Sequence, residues 1–347
     1  MKIGILTHPL IRNYGGILQA YALFNYLKKI GHDVIIIDRR SNRNKIKQFI
    51  LNVLLFLRVN RYYKHEKNNK LMYHFIKSNF QRSSSLYNSN DLKKFIKKHQ
   101  IDAVVIGSDQ VWRADFCLDF DFDFWGGFID DKIKPIVFSY SASISSDVWE
   151  YDQITTEKIK KFISIFSGVS VREESALVLC KENLDIDPKW LIDPTLLFDS
   201  MFYDKIASSR LIQKKYIFVY WLGDRNVLNQ ILQKYKLQYE IIIISLREHT
   251  LQKKVEDWLS YIKYSEFVIT DSFHGIVFSI LYHKKFELHK NNSGGYTRLE
   301  SLFKMLNIEG NFTDLKFLID YQKIDQRLNI LREDAHDYIV KCLNHKL

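Results

Sequence analysis

The run Ala103-Val104-Val105-Ile106 is apolar at every position, which suits a strand covered on both faces and therefore a parallel sheet flanked by helices. The segments around it repeat that theme. Lys2 to Thr7 reads as a strand, Gly16 to Ile30 as a helix with Leu18, Tyr21, Ala22, Phe24 and Leu27 as its apolar stripe, and Asp33 to Asp38 as the next strand. Pro135 to Ser139 and Gly168 to Val171 are further strands, with a helix from Thr155 to Phe166 between them. The alternation pauses between Asp185 and Pro194, where two of the four prolines fall, and then restarts. Strands are expected at Tyr216 to Trp221, Glu240 to Ser245 and Glu266 to Thr270, with helices at Arg225 to Tyr235 and Gln252 to Tyr264. At about 150 residues per domain, 347 residues make two. The expected organisation is α/β throughout, with domains at residues 1–190 and 191–347, a basic helical insertion at about 43–99 and a long terminal helix from Leu318 to Leu343.

Composition removes several function classes. With 46% hydrophobic and 26% charged residues the chain is neither disordered nor fibrous, and 13 glycines and 4 prolines leave no room for long flexible linkers. No stretch reaches the roughly 18–20 apolar residues of a membrane span. The nearest, Phe49 to Val59, is interrupted by Asn52 and Arg58 and flanked by lysines and arginines. It reads as a packed helix or as one lying in a membrane interface. Cys117, Cys180 and Cys342 are odd in number and in no metal-ligand spacing, and the N-terminus has no signal-peptide core, so a cytoplasmic location is expected. The net charge of +11 favours an anionic partner: a phosphorylated substrate, an acidic glycan, a membrane surface or a nucleic acid. Nucleic acid ranks last, because the basic residues are interleaved with acids and no recognised module is visible.

The polar motifs fall just after strands, where ligands of parallel sheets bind at helix N-termini. Asn13-Tyr14-Gly15-Gly16 follows the first strand, and the glycine pair serves either to admit a phosphate or as a turn. Ser108, Asp109 and Gln110 follow Ala103 to Ile106 as helix caps or as site residues, and Ser141 lies in a serine-rich loop of the same ambiguity. Arg172 stands between a strand and a helix, where its planar fork grips a carboxylate or phosphate, or pairs with Glu173 or Glu174. Asp271-Ser272-Phe273-His274-Gly275 closes a strand of the second half and puts the imidazole of His274 on the anion-binding end of the next helix. Asp193-Pro194-Thr195 reads as a turn, and Arg298 faces either the cleft or solvent. These positions imply one cleft between two domains. No HxH or CxxC pair points to a metal.

Taken together, Asn13-Tyr14-Gly15-Gly16 with Leu18-Gln19-Ala20-Tyr21-Ala22-Leu23, Gly107-Ser108-Asp109-Gln110-Val111-Trp112, Ser170-Val171-Arg172-Glu173, Asp193-Pro194-Thr195 and Asp271-Ser272-Phe273-His274-Gly275 resemble the polysaccharide pyruvyl transferase family, in the family's order. The resemblance implies two Rossmann-like domains facing a cleft in the GT-B manner. It also implies transfer of a pyruvyl group from phosphoenolpyruvate, a co-substrate rather than a cofactor, to a sugar as a cyclic ketal. The acceptor would be a surface polysaccharide or its lipid- or nucleotide-linked precursor, met at the inner face of the membrane. Under this reading His274 and Asp109 carry the proton transfers. Arg172, Ser272, Gly275 and Arg298 bind the donor, and Asn13, Tyr14, Gly15, Gly16, Ser108, Gln110 and Ser141 meet the acceptor or a phosphate. Some members carry an arginine where this chain has Ser272, so Arg298, Arg113 or a lysine must supply that charge or the donor is held differently. The same cleft would accommodate a GT-B glycosyltransferase using a nucleotide sugar, or a non-catalytic sugar or anion binder.

Overall fold

The computed structural model describes residues 1–11, 13–41, 71–235, 238–245, 253–290, 296–312 and 316–344. The apolar run Phe49 to Val59 and residues 43–70 of the basic insertion lie outside them, whereas residues 71–79 are helical and Ser89–His99 forms another helix.

The first half holds a parallel sheet of four strands, β1 (Lys2–Leu6), β2 (Asp33–Ile37), β3 (Ala103–Ile106) and β4 (Ile136–Ser139), in the order β2-β1-β3-β4. Helix α1 (Tyr14–Lys29) crosses between β1 and β2 and is capped by Asn13, whose side chain accepts from Gly16 N at 3.1 Å. The short strand pair β5 (Ser170–Val171) and β6 (Lys189–Trp190) continues this half around α2 (Glu174–Leu184). The second half holds β7 (Tyr216–Trp221), β8 (Glu240–Ser245), β9 (Phe267–Thr270) and β10 (Lys285–Leu288), also parallel, in the order β10-β9-β7-β8. Between them run α3 (Arg225–Leu232), α4 (Val255–Tyr264) and α5 (Phe273–Leu281), followed by α6 (Tyr296–Met305) and the terminal α7 (Tyr321–Leu343).

Among the described residues, the period-2 alternation of strand side chains divides the interior into three cores. Ile3, Ile5, Val34, Ile36, Val105 and Phe138 face the second half and share one continuous core with Tyr216, Phe218, Tyr220 and Val268. Their neighbours Leu6, Ile35, Ile37, Val104, Ile106 and Val137 fill an outer core of the first half, and Ile217, Val219, Trp221 and Ile269 one of the second. The two halves are thus packed together.

Two features depart from the expectation. The edge strand β10 and a hairpin of Glu309–Asn311 with Lys316–Leu318 add to the second half. The terminal helix packs across both halves, as its amphipathic pattern suggests: Arg327 donates to Met305 O at 3.0 Å in the second and Tyr338 to Ser139 O at 2.8 Å in the first, while Arg332 bonds Leu196 O and Phe198 O. No helix among the described residues is long and apolar enough to cross a membrane.

Candidate functional site

A cavity of about 630 Å³ opens between the carboxyl ends of the two sheets. The first half lines it with His8 to Ile11, Asn13, Gly16, Asp109, Gln110, Asp115, Phe116, Asp119 and Phe120. The second lines it with Tyr220, Leu222, Asp271, Ser272, Phe273, His274, Arg298 and Leu299.

His274 stands in the first turn of α5, which Ser272 caps by accepting from Gly275 N at 3.5 Å. Its position depends on Gly15, because a Cβ there would stand 2.0 Å from His274 Nδ1. On the far side His274 Nε2 lies 3.7 Å from Asp193 Oδ2. That same oxygen accepts from Arg172 Nη1 at 2.7 Å and from Ser108 Oγ at 3.2 Å. The other Asp193 oxygen accepts from Thr195 N at 2.9 Å and Thr195 Oγ1 at 2.6 Å. Burial alone would raise the Asp193 carboxyl, but His274, Arg172 and the Thr195 hydroxyl outweigh it and hold the group far below its ordinary range. Asp193 is therefore a buried anion that gathers Arg172 and His274 around one atom.

Asp109 follows β3 in a left-handed conformation (φ 76°), with its Oδ1 accepting from Gln110 N at 2.9 Å. A Cβ on Gly16 would come within 3.2 Å of its Oδ2, so that glycine keeps a close approach. Burial would raise the Asp109 carboxyl; the fields of His8, Arg172, His274 and Arg298 overcome this and hold it ionised, below its usual value. Arg298, from α6, meets the Gln110 side-chain amide, whose oxygen, in the amide orientation that satisfies both groups, accepts from Nη1 and Nη2 at 2.8 and 3.0 Å. Burial and the nearby Arg172 charge lower the Arg298 guanidinium to about 10. Cation, carboxylate and imidazole thus meet on one surface, an arrangement able to hold an anion and move protons beside it.

Of the residues singled out from sequence, His274, Asp109, Ser272, Arg298, Asn13, Gly16 and Gln110 line the cavity. The others stand behind its wall. Arg172 is buried, held by Asp193, with Glu173 Oε1 3.7 Å from its Nε, and its guanidinium lies 4.8 Å from the Phe273 ring centre. It acts on the cavity through its field rather than as an exposed fork. Tyr14 points into the second half, where it stacks on Trp258 (5.4 Å, 9°) and bonds the backbone of Lys253. Gly15 makes room for His274, and Gly275 for Thr270, whose Oγ1 would be 2.3 Å from an added Cβ. Ser108 serves Asp193, and Ser141 donates to Leu191 O at 3.2 Å inside the first half. Sequence reasoning passed over His8; Phe273 and Asp193 stood within motifs of the family resemblance, but neither was given a role at the site and Asp193 was read as a turn. The signal for His8 was its place just after a strand. Among the described residues, no group of three or more His, Cys, Asp or Glu is placed to hold a metal ion.

Comparisons with known proteins bear on both fold and family. UDP-N-acetylglucosamine 2-epimerase from Rickettsia bellii superposes with a TM-score of 0.51 at 11% identity, over 99% of this chain and 97% of that one. The S. aureus MnaA–UDP co-structure does so with a TM-score of 0.50 at 11% identity, over 98% and 96%. At such identity the likeness shows the fold, which is GT-B-like. No curated protein matches the chain. The sequence profile described as polysaccharide pyruvyl transferase matches residues 13–286. Since that match begins at the Asn13 cap, runs past His274 and takes in most of the sequence, the chain belongs to the polysaccharide pyruvyl transferase family.

Proposed function

We propose that the enzyme moves the pyruvyl group of phosphoenolpyruvate onto two hydroxyls of one sugar, in a surface polysaccharide or in its lipid- or nucleotide-linked precursor at the inner face of the membrane, and closes a cyclic ketal. The observation that carries this reading is the meeting of His274, Asp109 and Arg298 on one cavity surface at the N-terminus of α5. Phosphoenolpyruvate brings a phosphate and a carboxylate. Arg298 and the α5 dipole offer positive charge to such groups.

The chemistry assigns work to each group. His274 delivers a proton to C3 of the donor, the double bond opens, and positive charge develops at C2 beside the Asp109 carboxylate. A sugar hydroxyl adds to C2 and gives its proton to Asp109. A second hydroxyl then displaces phosphate by breaking the C2–O bond. Two hydroxyl protons are lost in all: the one taken by Asp109 is released as His274 regains the proton it gave to C3, and the other leaves on the departing phosphate. Asp193 and Arg172 hold the imidazole in place and keep the buried charge balanced.

Titration calorimetry of the wild type and Arg298→Ala with phosphoenolpyruvate, and with UDP in parallel, tests the reading. Donor binding that weakens in the variant supports it. Binding of UDP with none of phosphoenolpyruvate would move the assignment to nucleotide-sugar chemistry.

A further inference from the structure

Helix α6 belongs to the second half, and its apolar residues Leu299, Leu302 and Phe303 are buried in the core that both halves share. Its other face carries Arg298, Ser301 and Lys304. Residues three apart are neighbours on a helix surface, so these three form one stripe. Each of them reaches across to the first half. Arg298 meets the Gln110 amide, the Ser301 hydroxyl accepts from Glu174 N at 3.0 Å, and Lys304 Nζ pairs with Glu174 Oε1.

The middle contact completes a helix of the first half. Glu174 is the first residue of α2, and no carbonyl of its own helix can accept from its amide. Helices commonly answer this need with a side chain at the N-cap position. In α2 that position is Glu173, which makes no capping bond, since its carboxylate is turned to the Ser143 hydroxyl and to Arg172, whose Nε lies 3.7 Å away. The acceptor comes instead from the other half, from a Ser301 that is only 5% exposed. The Lys304–Glu174 pair is of a different kind. Both its side chains are well exposed, and such a surface pair adds little.

We propose that Ser301 is a positioning residue for Arg298. Three residues, less than one turn, separate them on a packed helix. The bond from Glu174 to Ser301 therefore sets the height and rotation of α6 against the first half, and with them the place of the guanidinium in the cavity. The Ser301 hydroxyl faces Glu174, so it acts on the site through Arg298. The two crossings, Arg298 with Gln110 and Ser301 with Glu174, brace α6 as one unit, and loosening either loosens the other. That Arg298 receives the donor rests on the pyruvyl-transfer reading; the coupling of the two crossings rests on the helix.

Hydrogen exchange on the full chain, resolved to the Glu174 amide by fragmentation in the mass spectrometer, reads the coupling without any ligand. Ser301→Ala should speed that exchange roughly tenfold. Gln110→Ala, which cuts the other crossing, should speed it about threefold. An unchanged rate in Gln110→Ala would make the crossings independent and overturn the proposal. Kinetics read the effect on the site. Ser301→Ala should raise KM for phosphoenolpyruvate roughly fivefold, the scale of one hydrogen bond, with kcat within about twofold of wild type. Ser301→Thr keeps the oxygen and should restore KM. In the Arg298→Ala background, Ser301→Ala should leave KM where Arg298→Ala alone put it. A lowered melting temperature with KM unchanged, or equal effects of Ser301→Ala in both backgrounds, would make the serine merely structural and overturn the proposal. If calorimetry shows no binding of phosphoenolpyruvate to the wild type, the transfer reading falls, and the exchange rates still decide the coupling.

Discussion

A Cβ built on Gly15 stands 2.0 Å from Nδ1 of His274, so the first turn of α1 in one half leaves the space that the imidazole of the other half occupies. Helix propensity alone would favour alanine at this position by about 1 kcal/mol. The steric effect opposes it and falls on the site. Gly15→Ala should reduce the transfer rate by roughly 100-fold, the scale of a displacement near 1 Å, with a melting temperature shifted by only a few degrees. Steady-state rates beside thermal melts check this. Full activity in the variant would mean that the imidazole position does not matter.

Asp193 Oδ2 is shared by Arg172, Ser108 and the edge of His274, all within one buried cluster. Asp193→Asn removes the charge nearest Arg172 and leaves it the more distant carboxylates of Glu173 and Asp109, so unfolding free energy should drop by about 3–5 kcal/mol. The interaction is specific to the pair. In a double-mutant cycle Arg172→Met should recover part of the loss in the Asp193→Asn background, measured by urea unfolding. Strict additivity of the two single losses would rule out a coupled pair.

The strands were legible because most are short apolar runs, and burial on both faces writes itself directly into composition, as at Ala103–Ile106. Strand β10 was not, since Lys285 and Glu287 alternate with Phe286 and Leu288 on a sheet edge and the segment lacks a continuous run. The placement of polar motifs after strands was legible for the same topological reason. What failed was direction: Ser108 and Asp109 are adjacent, yet one turns to Asp193 inside the wall and the other to the cavity. Asp193 explains itself locally as a cap on Thr195 N, which hides its contact with Arg172, a residue 21 positions away. Periodicity holds no record of such pairings.

Arg298 reaches the cavity from α6 and is braced by Gln110 across the divide between the halves. If it grips the donor, Arg298→Lys keeps a charge but loses the fork. KM for phosphoenolpyruvate should rise about tenfold in Arg298→Lys and about 100-fold in Arg298→Ala, with smaller changes in kcat. Gln110→Ala should lie below both. Equal KM values for the wild type and Arg298→Ala would place the donor elsewhere.

Burial raises the Asp123 carboxyl to about 6 against the opposing pull of Arg39 and Ser89, and the neighbouring Asp121 charge adds to the rise. Unfolded, the same group titrates near ~3.9. The folded chain thus binds this proton more tightly, and the group's contribution to stability falls as pH rises from about 4 to about 6. Urea unfolding from pH 4 to 7 should show that decline, of about 2–3 kcal/mol, in the wild type. Asp123→Asn cannot lose the proton and should show a flatter curve over the same window. Parallel curves would show that Asp123 does not titrate there.

Tyr14 was expected at the site and instead ties the halves together. Its hydroxyl donates to Lys253 O at 2.8 Å and accepts from Lys253 N at 2.9 Å, while its ring stacks on Trp258. Burial pushes the phenol well above its ordinary value, so it stays a neutral donor across the working range. Tyr14→Phe preserves the stacking and strips one oxygen, leaving the amide and carbonyl of Lys253 without that partner. The expected loss is about 1–3 kcal/mol of unfolding free energy, the cost of unpaired polar groups in a part-buried contact. Tyr14→Ala removes the ring as well and should lose a further ~2–3 kcal/mol. Because the hydroxyl faces Lys253 and not the cavity, kcat and KM of Tyr14→Phe should stay within about twofold of wild type at a temperature where both are folded. A large fall in kcat with unchanged stability would return the hydroxyl to the chemistry and contradict its observed direction.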